Sequence, residues 1–225
     1  MPQFRPVGDH GLLVDFANDF SDAAHAAVLR LDAALTTHPC PGFAESVPAF
    51  VSLLVVFDPL VTDHAQVKAH LRGLLTHTRT VSRSPALHQV PVCYDDELAP
   101  DLPDVAQQTG LSPEAVINAH LAGDYAVYMY GFAPGYAYLG GVAASIQLPR
   151  KSAAVRGVAA GSVIIAGAQC LVTTLTMPTG WWIIGRSPAR ILTDDPNHPF
   201  LFDVGDRVQF RRISRAAFDA SGRAN

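Results

Sequence analysis

From about residue 85 onward the apolar residues come in short runs, at 88–94, 125–132, 162–166, 170–176, 181–184 and 207–210, divided by Gly, Pro and Asp. Runs this brief end on turn formers before a helix could develop, so they must pair with one another; their number and spacing predict a barrel or sandwich. Two short helices precede most of them. The first 84 residues follow a different pattern. Residues 11–16 are strand-like, and Ser21 stands as an N-cap ahead of Asp22, an acid suited to the positive helix start. Ala24, Val28, Leu31 and Leu35 then fall on one helical face, which ends near His38-Pro39. A turn at Pro41-Gly42 leads to a buried strand at 50–57, bounded by Pro48 and Pro59, and to a second helix over 63–77 that buries Val67, Leu71 and Leu74. The expected fold class is α+β: a small N-terminal α/β domain at 1–84, ending in the polar stretch 78–84, and a β-rich domain at 85–225.

Composition narrows the function classes. An apolar share of 49% with 16% charged residues belongs to a globular protein and rules out disorder. Sixteen Lys and Arg against twenty Asp and Glu leave a net charge of −4, so no basic field draws nucleic acid to the chain. Apolar stretches such as 50–57 and 163–168 fall far short of the roughly 18–20 residues a membrane helix needs, and the first five residues carry no secretory pattern. Cys40, Cys93 and Cys170 are odd in number and widely separated, against a disulfide framework. A cytoplasmic protein without nucleic-acid or membrane partners is expected.

The common catalytic signatures are missing. The sequence has no G-x-x-x-x-G-K-[ST] loop for a nucleotide phosphate, no G-x-S-x-G elbow, no C-x-x-C and no His pair three or four apart, so no metal site is expected at those spacings. Residues 101–120, with Ser112-Pro113 opening the second half, resemble a helix-turn-helix. Between Arg83 and Arg150 there is no Lys or Arg, however, and such a helix would bring Glu114 and no cation to the phosphates; a structural helix pair is expected. Asp95-Asp96-Glu97 and Asp194-Asp195-Pro196 read as turn chemistry, and His120 as a capping or half-buried histidine rather than a base.

One segment stands out. Tyr125, Tyr128, Tyr130, Tyr136 and Tyr138, five of the six tyrosines, crowd around Gly131-Phe132-Ala133-Pro134-Gly135. Glycines and a proline let the backbone turn sharply while the rings supply flat walls with polar tips, as a small-ligand pocket requires. A tyrosine-rich strand and turn serving only the core is the competing reading. Pro134, Gly135, Tyr136 and Tyr138 are the candidate wall. Downstream, Arg150, Gln169, Trp181 and Arg186 complete a candidate substrate site: an Arg grips a carboxylate with paired hydrogen bonds, and a Gln amide both donates to and accepts from a lactam or ureido group. Alternatively Arg186 satisfies turn carbonyls and Gln169 caps a strand edge. No catalytic residue can be named.

These residues sit in a series of motifs that carries a family resemblance. Gly8-Asp9 with Leu12-Leu13-Val14, Val47-Pro48-Ala49-Phe50, Val90-Pro91-Val92, Gly131 through Gly141, Leu148-Pro149-Arg150, Gly167-Ala168-Gln169 and Gly180-Trp181 through Pro188, in that order, resemble the allophanate hydrolase subunit 1 family. That family includes the B subunit of bacterial 5-oxoprolinase and the KipI-type inhibitor of a sporulation histidine kinase. The resemblance implies a cyclophilin-like β-barrel after the α/β domain. It also implies a place in a heteromeric ATP-dependent amidohydrolase that opens 5-oxo-L-proline to L-glutamate, with a chain inactive alone. The implied partners are an allophanate hydrolase subunit 2-like protein and a third 5-oxoprolinase-type subunit; ATP serves the complex, and magnesium can accompany it. A KipI-like regulatory binding role, or carboxyl transfer of the urea carboxylase and allophanate type, are the alternatives it implies. The chain departs from the family pattern at Val155-Arg156, Val158-Ala159, Val172-Thr173-Thr174 and Met177-Pro178-Thr179, which changes the wall of the expected pocket.

Overall fold

The structure, a computed structural model, describes residues 2–77 and 84–221 and divides into two compact units, Met1–Ser84 and Pro85–Asn225. Most of the polar stretch expected at 78–84, residues 78–83, lies outside the described residues.

The first unit runs β1 (Gln3–Val7), β2 (Gly11–Asp15), α1 (Asp22–Thr37), β3 (Phe43–Pro48), β4 (Ser52–Phe57) and α2 (His64–His77). Its strands form one antiparallel sheet in the order β1-β2-β4-β3. The Ser21 hydroxyl accepts from the Ala24 amide at 3.2 Å and starts α1 at the N-cap the sequence predicts. Alternate strand residues Leu12, Val14, Leu53, Val55 and Phe57 meet Val28, Leu31 and Leu35 of α1 and Val67 and Leu71 of α2 in one core. Leu74, expected in that core, is only half-buried at its edge. The strand expected at 50–57 starts two residues late, because the Ala49 amide bonds back to the Ser52 carbonyl at 2.8 Å and closes a turn. Edge strands β1 and β3 carry Pro6 and Pro48 and no apolar run, so periodicity alone does not mark them.

The second unit runs β5 (Leu87–Val92), α3 (Leu102–Thr109), α4 (Pro113–Leu121), β6 (Tyr125–Tyr130), β7 (Ala137–Gly140), β8 (Val155–Val158), β9 (Ser162–Ala166), β10 (Gln169–Val172), β11 (Met177–Thr179), β12 (Trp182–Arg186), β13 (Arg207–Arg212) and α5 (Arg215–Ser221). Seven strands form a sheet in the order β12-β9-β10-β7-β6-β13-β5. Just past β5, Cys93 exchanges two backbone hydrogen bonds with Arg186 at 2.8 and 2.9 Å, which ties the first strand of the sheet to the last. The result is a barrel whose interior is filled by side chains, among them Val90, Tyr125, Leu139, Ile165, Val172, Ile184 and Phe210. Leu102 and Val105 of α3 and Val116 and Ile117 of α4 pack into the same core. The helix pair thus has a structural role in this core, and Glu114 is held by Arg212 at 2.7 Å.

Strands β9, β10 and β12 are buried on both faces. Val163 and Ile165 point into the main core, whereas Ile164 and Ala166 join Leu171, Trp181, Ile183, Val158 and Tyr136 in a second apolar cluster outside the barrel wall. The separate two-stranded sheet β8–β11 contributes Val158 and, at its edge, Met177 to that outer cluster. The site lies against this outer wall rather than in the barrel lumen.

Candidate functional site

The Gly131–Tyr138 segment links β6 to β7 through a loop held by its own backbone. The Tyr136 amide bonds to the Ala133 carbonyl at 3.1 Å around Pro134-Gly135, with Gly135 at φ +72°, the left-handed conformation that the third position of a type II turn demands. Gly131 donates to the Tyr136 carbonyl at 3.2 Å, and the Thr174 hydroxyl donates to the Pro134 carbonyl at 2.7 Å. These bonds fix where Tyr136 and Tyr138 enter the wall. Tyr138 meets Trp181 edge-on at 5.9 Å between ring centroids.

Arg150 is positioned by its neighbours. The Trp182 indole donates to the Pro149 carbonyl at 2.8 Å, and the Lys151 amide donates to the Gly180 carbonyl at 2.7 Å. Lys151 reaches back to the Asp101 carboxylate at 2.5 Å, and the same carboxylate accepts the Ile183 amide at 2.6 Å. Between two clamped residues, the Arg150 guanidinium lies 5.5 Å from the Trp181 ring centroid, a cation–π placement. Phe132, Tyr136, Tyr138, Arg150, Thr179 and Trp181 line a cleft of about 120 Å³. Pockets for drug-sized ligands run to about 300–1,000 Å³; this one suits a much smaller molecule.

Of the eight residues the sequence nominates, Tyr136, Tyr138, Arg150 and Trp181 share this cleft. Pro134 and Gly135 form the turn beside it, where a Cβ on Gly135 would stand 2.8 Å from Leu192. Arg186 lies elsewhere. It lines a second, open cleft of about 410 Å³ with Thr174, Ser187 and Arg190, donates to the Ala160 carbonyl at 3.1 Å and passes over the Phe218 ring. Gln169 opens β10 at the tip of its hairpin with β9, half-buried, and lines neither cleft. Phe132 also lines the aromatic cleft, although the sequence presents it only as part of the turn motif.

The chemistry this cleft offers is recognition. Its ionisable lining groups are two tyrosines and one arginine, and burial, followed by the neighbouring Tyr138, pushes the Tyr136 phenol above its usual range, so it stays a neutral donor. An arginine fork and phenolic hydroxyls between aromatic faces fit a small, flat carboxylate. The remaining candidates are committed to structure: Asp194 pairs with Arg190 at 3.1 Å, Glu97 pairs with Arg215 at 2.8 Å, and the Asp195 side chain accepts the Asn197 amide. Among the described residues no group of three or more His, Cys, Asp or Glu is placed to hold a metal ion. Nor is any described helix long and apolar enough to cross a membrane.

His120 is not a cap. It is fully buried in the barrel core, with Nδ1 2.8 Å from the Tyr94 hydroxyl and Nε2 3.5 Å from the Cys170 sulfur. Burial lowers its pKa to about 3, so the ring is neutral, and the phenol of Tyr94 and the thiol of Cys170 are pushed up.

Residues 2–202 match the family described as carboxyltransferase domain, subdomain C and D. The chain belongs to that family. The B subunit of 5-oxoprolinase from Bacillus subtilis strain 168 is 36% identical over 234 residues, which cover 97% of this chain and 95% of that protein. The solved structure of TTHA0988 superposes with a TM-score of 0.80 at 34% identity over 91% of this chain, which spans only 40% of that longer one. PH0987 of Pyrococcus horikoshii, an uncharacterized protein, matches at 37% identity and a TM-score of 0.57, over 96% of this chain and 100% of its own. The carboxyltransferase-domain match runs through both units and takes in the aromatic cleft, since Phe132 to Trp181 lie inside it.

Proposed function

We propose that this protein is the substrate-holding subunit of a 5-oxoprolinase-type complex, and that 5-oxo-L-proline lies in the aromatic cleft with its carboxylate on Arg150. The observation that carries this reading is Arg150 clamped over Trp181 at the edge of a small cleft with two tyrosines and no acid among the residues lining it. Such a cleft binds a flat anion and has no carboxylate, imidazole or thiol among its lining residues to act as base or nucleophile, so the chemistry of ring opening falls to partner chains. Those partners are an allophanate hydrolase subunit 2-like protein and a third subunit of the 5-oxoprolinase type. ATP is a co-substrate of the assembly, and this sequence offers it no G-x-x-x-x-G-K-[ST] loop. The likeness to the B subunit of Bacillus subtilis 5-oxoprolinase supports the subunit role. The family description also favours a second reading, carboxyl transfer to a planar amide.

The purified chain is expected to form no L-glutamate from 5-oxo-L-proline with ATP, whereas the complex co-purified from its native host forms it in an ATP-dependent reaction. A coupled glutamate assay checks this. Turnover by the chain alone contradicts the division of labour, and a complex that is inactive here but carboxylates an amide from a biotinyl donor replaces the first reading with the second.

A further inference from the structure

We infer that Phe132 is a stacking residue that makes the aromatic cleft selective for a flat cyclic amide over puckered or open-chain amino acids; the inference rests on reading the cleft as a 5-oxo-L-proline site. Three observations meet at this residue. It is the one non-glycine residue with a left-handed φ, +71°, among the described residues. The Ala133 amide bonds to the Gly131 carbonyl at 2.9 Å, so Phe132 is the central residue of a γ-turn of the strained sign. The residue is also 73% exposed, so its apolar side chain gains little from burial.

A glycine would relieve both burdens, and glycines stand nearby at 131 and 135. The loop nevertheless holds the phenyl group at the mouth of the cleft, 5.7 Å from the Tyr136 ring and tilted 56° to it. Strain kept at a site by a well-bonded frame points from geometry to a role in binding. A flat lactam offers a planar amide face to the exposed ring and covers its apolar surface. The ring in turn keeps water from the carboxylate on Arg150, where lower polarity strengthens the ion pair. L-Proline lacks the amide plane, and L-glutamate, the product of ring opening, lacks the ring. Neither can stack in the same way, and weak retention of the product favours its release.

The test titrates the full chain and the co-purified complex with 5-oxo-L-proline, L-proline and L-glutamate, following the fluorescence of the two tryptophans, one of which is Trp181. The wild type is expected to prefer 5-oxo-L-proline by about tenfold, as one aromatic stack supplies. Phe132→Tyr keeps this preference, and Phe132→Leu and Phe132→Gly abolish it. Phe132→Gly also melts a few degrees higher, because the backbone strain is gone. Full selectivity in a folded Phe132→Gly, with wild-type binding intact, overturns the role of Phe132 alone. No binding of 5-oxo-L-proline by the wild-type chain or complex overturns the cleft reading, and this inference with it.

Discussion

Gly135→Val is expected to lower the melting temperature by on the order of 10 °C and to remove ligand binding in the aromatic cleft. Two costs add. A β-branched residue forced to the φ of +72° observed here costs roughly 1–2 kcal/mol. The new Cβ would also stand 2.8 Å from Leu192 Cδ2 and 3.0 Å from Thr174 Cγ2, and relieving such overpacking costs about 1–3 kcal/mol more. Moving Thr174 weakens its bond to the Pro134 carbonyl and releases the turn that places Tyr136 and Tyr138. Gly167→Ala serves as the control. Its φ is +53°, but no atom lies within 4 Å of the added Cβ, so it carries strain without collision. Thermal melts followed by circular dichroism should show a loss for Gly167→Ala well below that for Gly135→Val; equal losses would contradict the packing argument.

Acid is expected to weaken the barrel through His120. Burial lowers its pKa from 6.5 to about 3, so between those values the unfolded chain takes up a proton that the folded chain refuses. Stability from this group is complete above pH 6.5 and falls by about 1.4 kcal/mol for each pH unit below it, until folded and unfolded chains are both protonated near pH 3. His120→Gln removes the titration while keeping a polar partner for the Tyr94 hydroxyl, which sits 2.8 Å from the ring nitrogen. Urea unfolding at pH 7, 6 and 5, above the range where most carboxylates titrate, should show wild type losing stability faster than the variant. Parallel slopes would mean that His120 is not held neutral.

How much of this is legible in the sequence depends on what signal each residue leaves. β9 and β12 announce themselves through the apolar runs 163–166 and 181–184, and the structure supplies the reason: Ile165 and Ile184 fill the barrel while Ile164 and Ile183 pack outside it, so neither face can be polar. β1 and β3 leave no such signal, being edge strands that each carry one Pro and one charged residue, Arg5 or Glu45, and that exist through pairing with β2 and β4. In the site, residue chemistry nominates Arg150 and Arg186 alike as anion binders. Only the clamp at Pro149 and Lys151 and the barrel bridge at Arg186 assign them to different clefts. Phe132 is invisible as a site residue, because a left-handed backbone at a phenylalanine belongs to the folded loop and to no sequence pattern.

The central claim is that Arg150 holds the substrate carboxylate in the aromatic cleft, and steady-state kinetics of the co-purified complex carrying Arg150 variants test it most directly. Losing a charge-assisted hydrogen-bonded pair costs roughly 1.5–3 kcal/mol, so Arg150→Ala should raise KM for 5-oxo-L-proline about ten- to a hundredfold with little change in melting temperature or in assembly of the complex. Arg150→Lys, which keeps the charge but loses the two-pronged geometry, should recover part of that loss. A KM for Arg150→Ala equal to that of the wild type, in a complex that is fully assembled and active, would contradict the account and move the substrate out of this cleft.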